Sequence, residues 1–261
     1  MKRGHGWKSI IPTSLRKGAR DLGNRIPFEI RRRHPRLKWS GDGERFSYQQ
    51  RLVDFRIGAE DKVLDIGSGS YPFPHADVLV DRYLEPSKHR KQEFVRDGKP
   101  VVLADVCFLP FRDKSFEYVV CSHLLEHVDD PIAACAEIMR VGRRGYIEAP
   151  SFTKDILFAW AGEGHRWYLI AAGSALCFFE YSQRQREGIR DSAWRDFIYS
   201  RWHHPLQKVF FENPELFNVI FPWTGCFSVY VFRLDGGVET LNAKRGRLDP
   251  SLPSREDEAD V

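Results

Sequence analysis

The stretch Val63-Leu64-Asp65-Ile66-Gly67-Ser68-Gly69-Ser70-Tyr71-Pro72 constrains the fold more than any other part of this 261-residue chain. It reads as a short buried strand with an acidic residue near its end, running at once into a Gly-x-Gly turn. Glycines at such a turn adopt backbone conformations closed to other residues and let the main chain pass close under a ligand. Asp65 is an acceptor when ionised and can take hydrogen bonds from loop amides or from a ligand amine. In open α/β sheets a turn of this kind lies at the carboxyl ends of the strands, where nucleotide-like ligands bind. Gly-x-Gly after an apolar run is common by chance, so its meaning depends on the pattern of the downstream residues.

Short apolar, β-rich runs recur at 62–66, 77–81, 100–104, 117–121 and 144–148. Helix-like stretches fall at 46–55, 85–96 and 131–140, with a turn and short helix at 122–128. Near-continuous apolar strands alternating with helices predict an α/β fold, its parallel sheet covered on both faces. Two later runs, Ala175–Tyr181 and Phe227–Leu234, frame a polar and aromatic stretch at 182–222 and are expected to pair antiparallel at one sheet edge.

Acids stand at the ends of three consecutive strands: Asp65, Asp81 and Asp105. An acid ending the second strand can accept both hydroxyls of a ribose. One just past the third can accept from an exocyclic amine of adenine. Each alone is an ordinary turn or capping residue; three in succession on one sheet are hard to ascribe to turn chemistry.

With Val63-Leu64-Asp65-Ile66-Gly67-Ser68-Gly69, Val80-Asp81, Ala104-Asp105-Val106-Cys107-Phe108-Leu109-Pro110-Phe111 and the run Asp113 to Val128 in hand, the chain resembles the class I S-adenosylmethionine-dependent methyltransferases, in particular the type 11 group. The resemblance covers roughly residues 60–150. It implies a Rossmann-like sheet of about seven strands, the last antiparallel, with helices on both faces. It also implies S-adenosylmethionine as cofactor. Asp65, Gly67, Ser68 and Gly69 would serve the methionine end, Asp81 the ribose, and Asp105 with Val106 the adenine. Ser122 and His123 would stand where cofactor and acceptor meet.

One departure from the family is plain. Only Ser70-Tyr71-Pro72-Phe73-Pro74-His75-Ala76 separate Gly69 from the second strand. A helical turn takes about 3.6 residues, and the two prolines oppose continuation. A tight loop or single turn is expected in place of the family's helix, with the helix-dipole contribution of about 0.3–1 kcal/mol reduced or lost. Tyr71 or Phe73 would then cover the cofactor by packing.

His123-Leu124-Leu125-Glu126-His127 matches the inverted zincin pattern H-x-x-E-H. It directly follows a strand, precedes Pro131, and has no third ligand at a familiar spacing, so a metalloprotease is disfavoured and no metal is expected. Quinone-biosynthesis O-methyltransferases resembling this chain carry E-x-x-E-H here with a divalent metal, so the set His123, Glu126 and His127 is the alternative. Glu148-Ala149-Pro150-Ser151, Gly164-His165-Arg166-Trp167-Tyr168 and His203-His204 are candidates for the acceptor side. A hydroxyl acceptor needs a proton-accepting group, and His127 and His165 are the candidate catalytic bases. The segment Gly145 to Ser151 followed by Gly-His-Arg-Trp resembles methyltransferases that accompany surface-polysaccharide genes, implying a small-molecule or glycan acceptor and an O-methyl product.

Residues 1–45 hold 13 Lys/Arg against 4 Asp/Glu, whereas the remainder holds 27 against 32. The basic excess thus belongs to an N-terminal arm, 1–45, ahead of a methyltransferase domain at 46–241 and a polar tail at 242–261 expected to be disordered. Within the domain the cofactor half is expected at about 60–150 and the acceptor half at about 151–234. Trp7, Ile10, Ile11 and Leu15 fit one apolar helical stripe, so the arm could lie on the domain or on an anionic surface. An RNA methyltransferase gripping its substrate with the arm is the alternative function; the arm lacks interleaved aromatics and the domain is acidic on balance. A degenerate, non-catalytic binding protein is a third reading. No 18-residue apolar run predicts a membrane span. Five scattered cysteines without CxxC spacing fit reduced thiols and a cytoplasmic protein.

Overall fold

The computed structural model describes residues 49, 53–86, 92–158, 164–191 and 213–243. The basic arm, His203-His204 and the tail beyond Ala243 lie outside the described residues, as does most of the stretch 46–55.

Strands β1 (Val63–Ile66), β2 (Val78–Asp81), β3 (Val101–Leu103), β4 (Phe116–Ser122) and β5 (Gly142–Pro150) pair in parallel in the order β3-β2-β1-β4-β5. All four residues of β1 are buried, Asp65 included, as expected of a strand covered on both faces. Alternation along the strands sends Leu64, Ile66, Val119, Cys121 and Ile147 into one core. Val63, Tyr118, Val120 and Tyr146 enter a second core on the opposite face.

A further strand, β8 (Asn218–Thr224), closes this sheet beside β5 and runs antiparallel to it, with Ile147 opposite Phe221. The expected antiparallel edge strand is therefore present, in a sheet that has six strands among the described residues against about seven expected. Most of its residues fall inside the polar and aromatic stretch 182–222, where no strand was read. Pro222 obscured them, since proline is confined to sheet edges, and an edge is where β8 lies. Gly145 opposes Trp223 in this register. A Cβ on Gly145 would lie 2.1 Å from the Val119 carbonyl oxygen and 2.9 Å from Trp223 Nε1, so only glycine fits.

The expected pairing of the two later runs needs correction. β7 (Ala175–Glu180) and β9 (Ser228–Phe232) do pair, but in parallel, at the centre of a separate sheet with four described strands. Its outer members are β6 (Trp167–Ala172) and β10 (Val238–Leu241). The antiparallel neighbour of β7 is β6, reached through the tight turn at Gly173. Trp167, Leu169, Leu176, Phe178, Val229 and Val231 join this sheet to the core containing Leu64 and Val119.

Helix α1 (Pro131–Val141) matches the expected 131–140. Asp130 caps it by accepting from the Ala133 amide at 2.9 Å, Pro131 supplies a first-turn residue without an N–H, and Ala134, Cys135, Ile138 and Val141 form its buried face. The opposite face of the main sheet is covered, among the described residues, by loop side chains such as Phe55 and Phe73 rather than by a helix. The expected helix at 85–96 is not seen in its described parts, 85–86 and 92–96. Two short helices arise where none was expected: α2 (Phe152–Phe158) and α3 (Gln183–Arg190), the latter opened by a reciprocal Ser182–Gln185 capping box.

Candidate active site

The carboxyl ends of β1, β2 and β4 open onto a cleft of about 1250 Å³. Gly67, Ser68, Gly69, Asp81, Asp105, Val106, Ser122, His123, His127 and His165 all line it. Of the residues expected to bind the cofactor or act as base, the cleft gathers all but Asp65; of the other acceptor-side candidates it takes Gly164 and Arg166 but not Glu148, Ser151, Trp167 or Tyr168.

Asp65 is 3% exposed and lies beneath the glycine turn, its Oδ2 accepting the Phe73 amide at 2.7 Å. It acts on the cleft through the loop it holds. Gly67 and Gly69 take φ of +75° and +55°, values favoured by glycine. A Cβ on Gly67 would stand 3.0 Å from the Leu124 side chain. The Gly67 amide donates to the Val80 carbonyl at 2.7 Å, and the Gly69 amide donates to Asp81 Oδ2 at 3.1 Å. Asp81 Oδ1 accepts from the Tyr83 amide at 2.9 Å. One carboxylate therefore ties the turn to the end of β2 and keeps lone pairs for a ligand.

The crossover from Gly69 to β2 is a loop of turns without a helix, as its length and prolines dictate. Tyr71 lines the cleft. Phe73 does not: it is 1% exposed and packs edge-on against Phe55 at 5.2 Å, so the expectation that it covers the ligand is corrected. Within this loop Ser68 Oγ and Ser70 Oγ are buried without a hydrogen-bond partner, and both residues line the cleft. Buried hydroxyls in that condition are unusual in a finished site. Together with the glycine cradle they fit a polar ligand lying over the turn.

Asp105 accepts from the Cys107 amide at 2.9 Å and pairs with Arg82 at 3.1 Å. An amine entering here would share its Oδ2 with that guanidinium. The next loop is fastened to α1 by Arg140, which donates to the Leu109 and Phe111 carbonyls, to Asp113 and to Glu137. Arg140 also holds the Glu137 carboxyl below its ordinary range.

Opposite the glycine turn the wall is built of histidines and carboxylates. His123 takes φ of +56°, a left-handed conformation uncommon outside glycine. Its amide donates to the Glu148 carbonyl at 2.8 Å and its Nε2 lies 3.1 Å from Glu148 Oε1. Glu148 itself, expected to face the crevice, is fully buried behind His123, where Gln49 and Tyr146 also donate to it. Residues Leu125–His127 form a single 3₁₀ turn rather than a helix. Glu126 is 1% exposed, with Oε1 3.6 Å from His123 Nδ1 and 3.9 Å from His127 Nε2. Burial raises its pKa, but the surrounding imidazoles of His123, His127 and His165, His123 first, outweigh it and hold the carboxyl at about 2.

Trp167 begins β6, and His165 stands just ahead of it, 7% exposed, its ring 4.8 Å from that of His127. His165 Nδ1 lies 2.8 Å from Asp155 Oδ1, and the Tyr181 hydroxyl donates to Asp155 Oδ2 at 2.9 Å. Burial opposes a charge on His165, yet Asp155 and Glu126 more than offset it and raise its pKa. Asp155 was missed by the sequence reading. It sits in a short helix that carries no motif, and only the fold turns it toward His165.

A family model described as "Methyltransferase domain" matches residues 64–147, the span that builds the glycine turn, the three acids and the wall up to β5. Residues 64–147 carry a methyltransferase domain. The chain is 32% identical over 108 residues to demethylmenaquinone methyltransferase of Renibacterium salmoninarum. That match spans 37% of this chain and 44% of the relative. Among solved structures the chain is similar to the YcgJ protein of Bacillus subtilis, at 16% identity and TM-score 0.37 over 65% of this chain and 84% of the other. It is also similar to the PH0226 protein of Pyrococcus horikoshii, at 19% identity and TM-score 0.36 over 56% and 78%. S-adenosylmethionine is the cofactor of this family, and the buried serine hydroxyls and glycine cradle of the methyltransferase domain fit it. Among the described residues no helix is long and apolar enough to cross a membrane.

Proposed function

We propose that this protein transfers a methyl group from S-adenosylmethionine to a hydroxyl of a small-molecule or glycan acceptor. One observation carries the reading. A single cleft joins the glycine turn, Asp81 and Asp105 at one side to a polar wall of His127 and His165 at the other.

Gly67, Ser68 and Gly69 would hold the methionine end of the cofactor, with Asp65 acting from below by fixing the turn. Asp81 would receive the ribose hydroxyls and Asp105 with Val106 the adenine. Ser122 and His123 would border the reacting end. When bound, the cofactor supplies an electrophilic methyl group on a sulfonium. The chain's share of the work is to align the acceptor oxygen with that methyl and exclude competing water, the kind of positioning that dominates such displacements. A hydroxyl must lose its proton as it attacks, and His127 and His165 stand on the wall that would take it. His165 is the better placed of the two for orientation, because Asp155 fixes its ring from behind, as the third member of a nucleophile–base–acid chain does.

The test uses the full chain with S-adenosylmethionine carrying a radiolabelled methyl group. Hydroxylated metabolites, oligosaccharides and RNA are offered in parallel, and label transfer and S-adenosylhomocysteine release are both measured. The expected result is label on a small-molecule or saccharide oxygen, stable to mild base. Label on RNA alone, retained in a salt-dependent manner, would establish the nucleic-acid reading instead. Cofactor binding without turnover on any acceptor would support the non-catalytic one.

A further inference from the structure

The acceptor wall holds more polar chemistry than a general base requires. Glu126, His127 and His165 each present one donor atom, and these atoms lie within 4.8 Å of one another. Glu126 is 1% exposed, and its Oε2 is buried without a hydrogen-bond partner. A buried carboxylate oxygen in that condition is costly unless something electropositive meets it. The outer partners of the two imidazoles are already in place. His127 Nδ1 faces the Gly164 carbonyl at 3.2 Å. A carbonyl only accepts, so the proton sits on Nδ1 and the Nε2 lone pair is directed to the Glu126 side, 3.9 Å away. His165 Nδ1 faces Asp155 at 2.8 Å, which leaves Nε2 as its ligating atom. A histidine whose far nitrogen donates to a carboxylate or a carbonyl is the usual arrangement behind a metal ligand.

We propose that Glu126, His127 and His165 form a site for one divalent transition-metal ion, Zn²⁺ by the character of its donors, open to the acceptor end of the cleft. Two imidazoles and one carboxylate with a position left for solvent or substrate is a familiar zinc arrangement. Zn–N and Zn–O bonds near 2.0–2.1 Å bring tetrahedral donors to within about 3.3–3.5 Å of one another. The site therefore closes by roughly an ångström when filled, a movement within reach of side-chain torsions. His123 stays outside the set: its nitrogens lie against Glu126 and Glu148, and its left-handed backbone fixes it there. The fold thus supplies, from just ahead of β6, the third ligand that no spacing near H-x-x-E-H revealed. A hydroxyl bound at the open position would lose its proton to solvent more readily, so the ion, by occupying the lone pairs of His127 and His165, would replace them as the means of deprotonating the acceptor. That consequence rests on the methyl-transfer reading, whereas binding of the ion does not.

The experiment is a Zn²⁺ titration of the chelator-stripped full chain, read by competition with a chromophoric chelator, with Co²⁺ substitution read by its visible absorption. One equivalent of Zn²⁺ is expected, with a four- to five-coordinate Co²⁺ spectrum. H127Q and H165Q should each weaken binding at least tenfold, and D155N by about 10–100-fold through the outer partner of His165. S-adenosylhomocysteine affinity and far-UV circular dichroism, measured on the same variants, show whether the cleft and fold persist. The proposal is overturned if the wild-type chain shows no saturable Zn²⁺ binding tighter than about 10 µM. It is equally overturned if binding survives unchanged in an H127Q/H165Q double variant, which would place the ion elsewhere. Zn²⁺ binding in a chain that transfers no methyl group would leave the site standing and remove only the methyl-transfer reading.

Discussion

Asp81→Asn offers the sharpest check on the cofactor side of the cleft. Its carboxylate accepts the amides of Gly69 at 3.1 Å and Tyr83 at 2.9 Å with separate oxygens. Asparagine has one acceptor oxygen and one NH₂ group, so whichever way the amide turns, one of those N–H groups meets a donor. The variant loses one charge-assisted hydrogen bond, for which about 1.5–3 kcal/mol is typical. Because Asp81 is only partly buried, the lower end applies. A loss of about 1.5–2 kcal/mol corresponds to roughly a 10–30-fold weaker Kd. Isothermal titration with S-adenosylhomocysteine measures it. A second titration, with an analogue lacking both ribose hydroxyls, separates the two roles of the residue. If Asp81 also receives the hydroxyls, the gap between variant and wild type narrows with the analogue; if it only fixes the turn, the gap stays. An Asp81→Asn Kd for S-adenosylhomocysteine within twofold of wild type would refute the assignment of this end of β2 to the cofactor.

Gly145→Ala should be destabilising by about 3 kcal/mol or more, since its Cβ would meet a backbone carbonyl at 2.1 Å and overpacking against a fixed neighbour has that scale; an unchanged urea midpoint would contradict the packing of β8 on β5. Glu137 carries a pH signature. The Arg140 hydrogen bonds depress its folded pKa below the ordinary 4.5, so its stabilisation is present above pH 4.5 and lost as pH falls through the lower folded value. Glu137→Gln should therefore be less stable than wild type by about 1 kcal/mol near neutrality, and the difference should close as pH approaches 3. A gap of constant size across urea melts at both pH values would rule this out.

Much of the cofactor side was legible in the sequence because its signals are local. A four-residue buried strand, two glycines that need positive φ and an acid at each strand end are all encoded within a few residues of where they act. The short crossover after Gly69 was legible for the same reason, because length and two prolines exclude a helix whatever surrounds them. Asp65 was read as an acceptor for loop amides or for a ligand amine, and which of the two it meets was decided by the tertiary structure, which sets its carboxylate under the loop on the Phe73 amide. Phe73 likewise went to the core, because an apolar ring beside Phe55 is removed from water there more completely than in an open cleft.

The acceptor side was not legible, and the reason is distance along the chain. The edge strand β8 is recognisable only from its pairing with β5, because Pro222 argues against a strand in the sequence. The parallel pairing of β7 with β9 depends on the intervening excursion through β8, which no local propensity encodes. Glu126, His127, His165 and Asp155 come from a 3₁₀ turn, a loop ahead of β6 and a short helix. Their types could be listed from the sequence. Their convergence on one wall depends on how the start of β6 is held to the 3₁₀ turn, the Arg166 amide donating to the Glu126 carbonyl at 2.8 Å. Sequence alone determined where the cofactor turn begins and which acids surround it, since hydrogen-bonding capacity and backbone freedom are carried by single residues. Tertiary structure decided which histidine faces which carboxylate, since that geometry exists only after the second sheet has closed over the first.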